Sequence, residues 1–207
     1  MSVASAWRTR SALRRLGGWV AVTYLGFAMF GDIHLQLAGG TTSFDPSDIA
    51  ADAVLVGFLF GAVSGALIGS LQWIVLRSWA PRARGWIPCT AIGFGFAHAM
   101  NDAVPYRPLD LLATLLIGGV MLGAMQAIAL RHVIARPWVW VAVVAVAWTL
   151  GWTAAAAVLG TIERNPLAEL FLGNGTAGLL IGAITGGALL SQLGSGEVAA
   201  EGQLARS

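Results

Sequence analysis

GALIGSLQWIVLR occupies residues 65–77, and GVMLGAMQAIALR occupies residues 119–131. Gly65 matches Gly119, Gly69 matches Gly123, Gln72 matches Gln126, and Leu76–Arg77 match Leu130–Arg131, all at an offset of 54 residues. Both copies sit in long apolar runs. Val54–Leu76 carries no charge across 23 residues and Leu111–Leu130 none across 20. A helix needs about 20 apolar residues to cross a bilayer core. The repeat therefore reads as a duplicated membrane helix.

Composition agrees. The chain is 57% hydrophobic and 11% charged, with mean hydropathy +0.75, whereas soluble domains carry about a quarter charged residues. Six spanning helices are predicted, over 17–38, 53–78, 86–104, 109–132, 138–160 and 167–193. The runs are too long for strands, and no short alternation suggests a barrel.

Arginine gives the orientation. The chain has twelve Arg and no Lys. Ten of the Arg fall before helix 1, between helices 2 and 3, between helices 4 and 5, or in the tail; only Arg107 and Arg164 fall on the other side. The positive-inside rule then predicts cytoplasmic termini in a bacterial inner membrane. The basic segment 1–16 resembles a signal-peptide n-region, and Ala38-Gly39-Gly40 a cleavage site. Because GWVAVTYLGF (18–27) matches GWIPCTAIGF (85–94), the expectation is that helix 1 is retained. The basic residues are topology signals, so no nucleic-acid partner is expected. The expected partner is the lipid bilayer, with other membrane subunits or a second copy of the chain.

A third, faded copy of the repeat is GLLIGAITGGALL (178–190), with Thr185 at the glutamine position. The odd helices each open on a Trp (Trp19, Trp86, Trp140), with Gly26, Gly93 or Ala147 seven residues later. The predicted fold is all-α and integral to the membrane: three parallel-repeat hairpins (17–78, 86–132, 138–193) in a pseudo-threefold bundle. Residues 194–207 are predicted to form a disordered cytoplasmic tail. Gly57, Gly61, Gly65 and Gly69, then Gly119 and Gly123, then Gly178, Gly182 and Gly186 form stripes for close helix packing. The stripes do not say whether the partner helix belongs to this chain or to another subunit.

Two polar constellations are candidate sites. Gln72, Gln126 and Thr185 would lie at one depth, as interhelical glue or as the lining of a cavity. Asp32, His34, His98, Asn101, Asp102, Asp110 and Glu169 would gather at the outer end. Acids there suit helix N-termini, and the alternative is a cation or metal site or a bis-His haem through His34 and His98. Gly173–Gly178 fits GxGxxG, but a dinucleotide site needs a preceding strand; a minor alternative is that Gly173 and Gly175 around Asn174 unwind a turn near the outer end of helix 6, as in broken transporter helices. Trp148 and Trp152, one turn apart, are read as packing residues before a ligand stack. The remaining Trp are read mostly as an interfacial belt. Cys89 is read as a packing residue and His132 as a surface residue. No cofactor is expected.

GxxxGxxQWxxLR followed by a basic loop and GW, best matched by residues 65–86 and more loosely by 119–140, resembles uncharacterised multi-pass bacterial membrane proteins that repeat this phrase. The resemblance covers about half the chain and implies a bacterial membrane protein without assigning an activity. The leading expectation is a non-enzymatic packing, assembly or scaffold subunit. The others are a small transporter or channel with an outward acidic vestibule, and a membrane-embedded metal or haem redox protein.

Overall fold

The computed structural model describes residues 3–31, 51–103, 108–162 and 165–204. Every regular element among them is helical: α1 (Val3–Phe30), α2 (Ala51–Leu76), α3 (Trp86–Ala103), α4 (Pro108–Leu130), α5 (Pro137–Leu159), a single turn Pro166–Ala168, a π-helical segment Glu169–Asn174, and α6 (Gly175–Leu204). Proline opens α4, α5 and the short turn, where its missing N–H costs no helical bond. The Asn165 side chain accepts from the backbone N–H groups of Leu167 and Ala168, at 3.0 and 3.3 Å, and so caps that turn.

Helix α1 runs through the basic segment, and α6 continues to Leu204. The last helix therefore runs on into the segment 194–207 that the sequence reads as a tail. Residues 3–16 are rich in Ala, Leu and Arg, which favour helix on intrinsic propensity.

Four stretches are long and apolar enough to cross a membrane: Val54–Leu76, Leu111–Leu130, Pro137–Leu159 and Glu169–Leu193. The distribution of polarity fits a lipid solvent. Leu59, Leu67, Ile74, Leu116, Leu150 and Leu179 are exposed, while Thr23, Gln72, Thr90, Gln126 and Thr185 are buried. An apolar exterior around buried polar groups reverses the order found in water.

The helices close a ring. α1 packs on α2, α2 on α3, α3 on α4, α4 on α5, α5 on α6, and α6 back on α1. Glycines set the closest approaches. A Cβ on Gly65 would lie 2.6 Å from Phe94 Cβ and 2.7 Å from the Thr90 carbonyl oxygen of α3. One on Gly119 would lie 2.8 Å from Ala145 Cα of α5, and one on Gly178 would lie 2.8 Å from the Thr23 carbonyl oxygen of α1. The stripes on α2, α4 and α6 therefore meet helices of this same chain. Without a hydrophobic drive in lipid, such close backbone approach is what holds helices together.

The loops at one end also match. Trp79 N–H and Ala80 N–H donate to the Leu76 carbonyl, and 54 residues on Val133 N–H and Ile134 N–H donate to the Leu130 carbonyl. Leu76, Ala80, Leu130 and Ile134 are buried, while Arg77, Arg82, Arg84, Arg131 and Arg136 are exposed. Each turn tucks its apolar residues under the bundle and leaves its arginines outside.

Gly173-Asn174-Gly175 does not unwind the chain. The helix widens to π geometry over Glu169–Asn174 and then continues as α6. Two carbonyls of that segment accept side-chain hydroxyls: Tyr24 Oη donates to Phe171 at 3.2 Å, and Thr176 Oγ1 donates to Leu172. Gly175 lets the Tyr24 ring approach, since a Cβ there would lie 2.6 Å from Tyr24 Cε2.

Candidate functional site: the axial polar level

Gln72, Gln126 and Thr185 come together. They are 4%, 5% and 3% exposed and line one small cavity at the centre of the ring. The last glycine of each stripe lies one turn or less away (Gly69, Gly123, Gly186), so close helix packing is what brings these polar groups inward.

Each has a specific partner on a neighbouring helix. Gln72 Nε2 donates to Thr23 Oγ1 of α1 at 3.2 Å, and Gln126 Nε2 donates to Thr90 Oγ1 of α3 at 3.3 Å. Trp140 Nε1 of α5 donates to Gln126 Oε1 at 3.3 Å, and Trp19 Nε1 of α1 donates to Thr185 Oγ1 at 3.0 Å. Thr185 Oγ1 in turn donates to the Ile181 carbonyl at 2.6 Å. Amides and indoles buried in an apolar core are costly unless paired, and here they mostly pair with one another.

The substitutions are coordinated. Thr23 and Thr90 stand four residues after Trp19 and Trp86; Val144 stands four after Trp140. Where the amide becomes Thr185, the hydroxyl of the third Trp-x-x-x-Thr unit is also gone. The two halves of one hydrogen bond are lost together, so no orphan is created at that position.

Aromatic rings close the level on both sides. Towards the arginine end, Trp86 touches Trp19 at 5.7 Å and Trp140 at 6.2 Å, both edge-on. Trp79 from the loop stacks behind Trp19 at 5.9 Å. On the other side, Phe94 meets Trp148 at 5.0 Å and Phe27 at 5.6 Å, with Trp152 5.8 Å from Trp148. Trp148 and Trp152 stack on these neighbours and fill the core.

Trp19, Trp86, Trp140 and Trp148 are buried, and Trp73, Trp79 and Trp152 pack against the core. Only Trp138, 70% exposed, has the exposure of an interfacial anchor among the Trp whose side chains are described. The belt reading fails because these indoles point inward and three of them form the floor of the polar level. The indole donors and Thr23 and Thr90 were the residues missed. Their signal was the Trp-x-x-x-Thr spacing shared by residues 19–23 and 86–90.

The outer constellation is not assembled by the described residues. Asp32 and His34 lie outside them, and so does the haem pair that needs His34. The side chains of Asp102 and Asp110 are likewise outside the description. His98 is half-buried; its ring is 5.9 Å from Phe94, and a Cβ on Gly61 would lie 2.6 Å from its Cδ2. Asn101 is half-buried and Glu169 exposed at the start of the π segment. Among the described residues no group of three His, Cys, Asp or Glu side chains could hold a metal ion. Cys89 is half-buried against the core, and His132 is exposed, accepting from Arg131 Nε at 2.9 Å.

Thr185→Val tests the polar level at its simplest point. It keeps the side-chain volume and removes the acceptor for Trp19 Nε1. The expected loss is about 1 kcal/mol, as for one buried bond in a membrane protein, read as a lower unfolding midpoint in detergent. An unchanged midpoint would mean that the Trp19 bond carries no net stability.

Comparison with protein-family models, with curated proteins and with solved structures returned no match for this chain.

Proposed function

We propose that the chain is a six-span inner-membrane protein that acts by packing against other membrane proteins, as an assembly or scaffold subunit. One observation carries this reading: most of the polar groups at the centre of the bundle are engaged with one another, between two aromatic layers. Gln72, Gln126 and Thr185 bond to Thr23, Thr90, Trp140 and Trp19, and the cavity among them is only about 10 Å³. A solute path needs a wider and continuous lining. Ion-coupled transport also relies on ionisable groups at mid-membrane, and this level is built of Gln, Thr and Trp.

In this reading α1 and α3 cross the bilayer beside the four more apolar spans, as members of the same closed ring. The chain is then three hairpins about a pseudo-threefold axis normal to the membrane. Three correspondences support that arrangement. Each glycine stripe packs on the first helix of the next hairpin, the third closing on α1. Gly26 and Gly93, each seven residues after its Trp, receive Ile68 and Leu122, which stand four residues before Gln72 and Gln126; in the third hairpin Ile181, four before Thr185, is received one turn further on, at Gly151. The indole-to-amide bond from Trp140 to Gln126 has its counterpart in Trp19 to Thr185. The exposed arginines of the α2–α3 and α4–α5 loops support a cytoplasmic face at that end. The resemblance of the GxxxGxxQWxxLR phrase to bacterial multi-pass proteins supports a bacterial inner membrane.

Native mass spectrometry of gently extracted protein tests the reading. The expected result is an assembly, either several copies of the chain or the chain with other membrane subunits. A lone monomer under conditions that preserve known membrane complexes would overturn it.

A further inference from the structure

The hydrogen-bond pattern of the axial level is incomplete at one place. By the spacing that puts Trp140 fourteen residues after Gln126, Trp86 is the indole that follows Gln72. Trp140 Nε1 reaches Gln126 Oε1. Trp86 Nε1 and Gln72 Oε1, both buried, have no hydrogen-bond partner. One donor and one acceptor are thus left over on adjacent helices, where the matching pair is joined directly. Native interiors rarely leave such groups unpaired, and an ordered water is the common reason when they do.

The cavity beside Gln72 is close to the size for one and has three polar side chains in a mostly apolar lining. It measures about 10 Å³ and is lined by Gln72, Gln126 and Thr185 together with Trp19, Trp140, Phe27 and Phe94. That is close to the minimum for a single water, which also needs two to four polar partners. Gln72 Oε1 offers an unused acceptor. Gln126 Oε1 and Thr185 Oγ1 each accept one indole N–H and retain a second lone pair. The void is therefore surplus in acceptors and takes a ligand with hydrogens to donate.

We propose that the axial cavity is a binding site for one buried water, which donates to Gln72 Oε1 and to a second oxygen of the level. The inference stands apart from the scaffold reading, since a sealed water fits a packing protein and a transporter alike. It gives the unused Gln72 oxygen a partner.

The test is a structure of the full chain in lipid at about 2 Å, with and without xenon pressure, for the native protein and Gln72→Met. Expected is a single density peak within hydrogen-bond distance of Gln72 Oε1 in the native protein. It should resist xenon and vanish in Gln72→Met. Xenon in the native cavity would show a dry apolar void and overturn the proposal. So would an empty cavity, or a direct bond from Trp86 Nε1 to Gln72 Oε1 with the cavity collapsed. The native-protein arms decide the matter even if the variant does not fold.

Discussion

Gly65→Ala should lower the unfolding midpoint of the detergent-solubilised protein sharply, by a loss of about 3 kcal/mol, at the upper end of the usual range for overpacking. The added methyl has no soft neighbour to displace. It would stand 2.7 Å from the Thr90 carbonyl oxygen and 3.0 Å from Ala91 Cα, both backbone atoms of α3. The only relief is to part α2 from α3, and that seam is the most extensive in the ring. Parting it also moves Thr90 away from Gln126. The control is Gly187→Ala. Nothing lies within 4 Å of a Cβ at Gly187, and its face is exposed. That variant should be neutral or slightly stabilising, because Ala outranks Gly in a helix. Equal losses at both positions would show that helix propensity, rather than close packing, sets the need for glycine.

Gln126→Leu should cost about 2 kcal/mol, and Gln72→Leu about half of that. Gln126 joins three helices: its amide nitrogen donates to Thr90 and its oxygen accepts from Trp140. Leucine leaves a buried indole N–H without an acceptor, and stranding a buried donor costs about 1–3 kcal/mol. Gln72 makes one direct bond, to Thr23, and strands no indole that was previously bonded directly. Equilibrium unfolding in mixed detergent would rank the two variants. A double-mutant cycle of Gln126→Leu with Trp140→Phe isolates the shared term. Identical losses for the two glutamines would show that the indole bond contributes nothing.

These two residues also mark what could be read in advance and what could not. Gly65 and Gln126 stand out in the bare sequence because a period of four and an exact offset are one-dimensional signals. The identity of the packing partner is not one-dimensional. A stripe of glycines states that something comes close, and only the ring shows that the stripe of α2 faces α3 rather than its own hairpin mate α1. The tryptophans misled for a physical reason. An indole at a helix end serves equally well as a lipid-facing anchor or as an inward donor, and only the orientation of the side chain separates the two. Thr23 and Thr90 were readable from the matched segments 18–27 and 85–94, yet a threonine in an apolar helix can satisfy its hydroxyl on its own backbone, as Thr149 does on Ala145. The outer His and Asp residues stay as the sequence left them, because Asp32 and His34 fall outside the described residues.

The bond between Trp19 and Thr185 spans 166 positions of the chain. A ribosome finishes the first helix long before it reaches the last. During that interval α1 has only its weakest seam, the one with α2, to lean on. The Gly178, Gly182 and Gly186 seat for α1 does not yet exist, nor does the acceptor for its buried indole. Synthesis therefore builds this protein as an open arc that gains one hairpin at a time, and the final helix shuts it. A chain stopped before α6 keeps two glycine seams and leaves the first helix without its principal neighbour, so the product of premature arrest is an unclosed bundle in which the Trp19 indole has lost its acceptor.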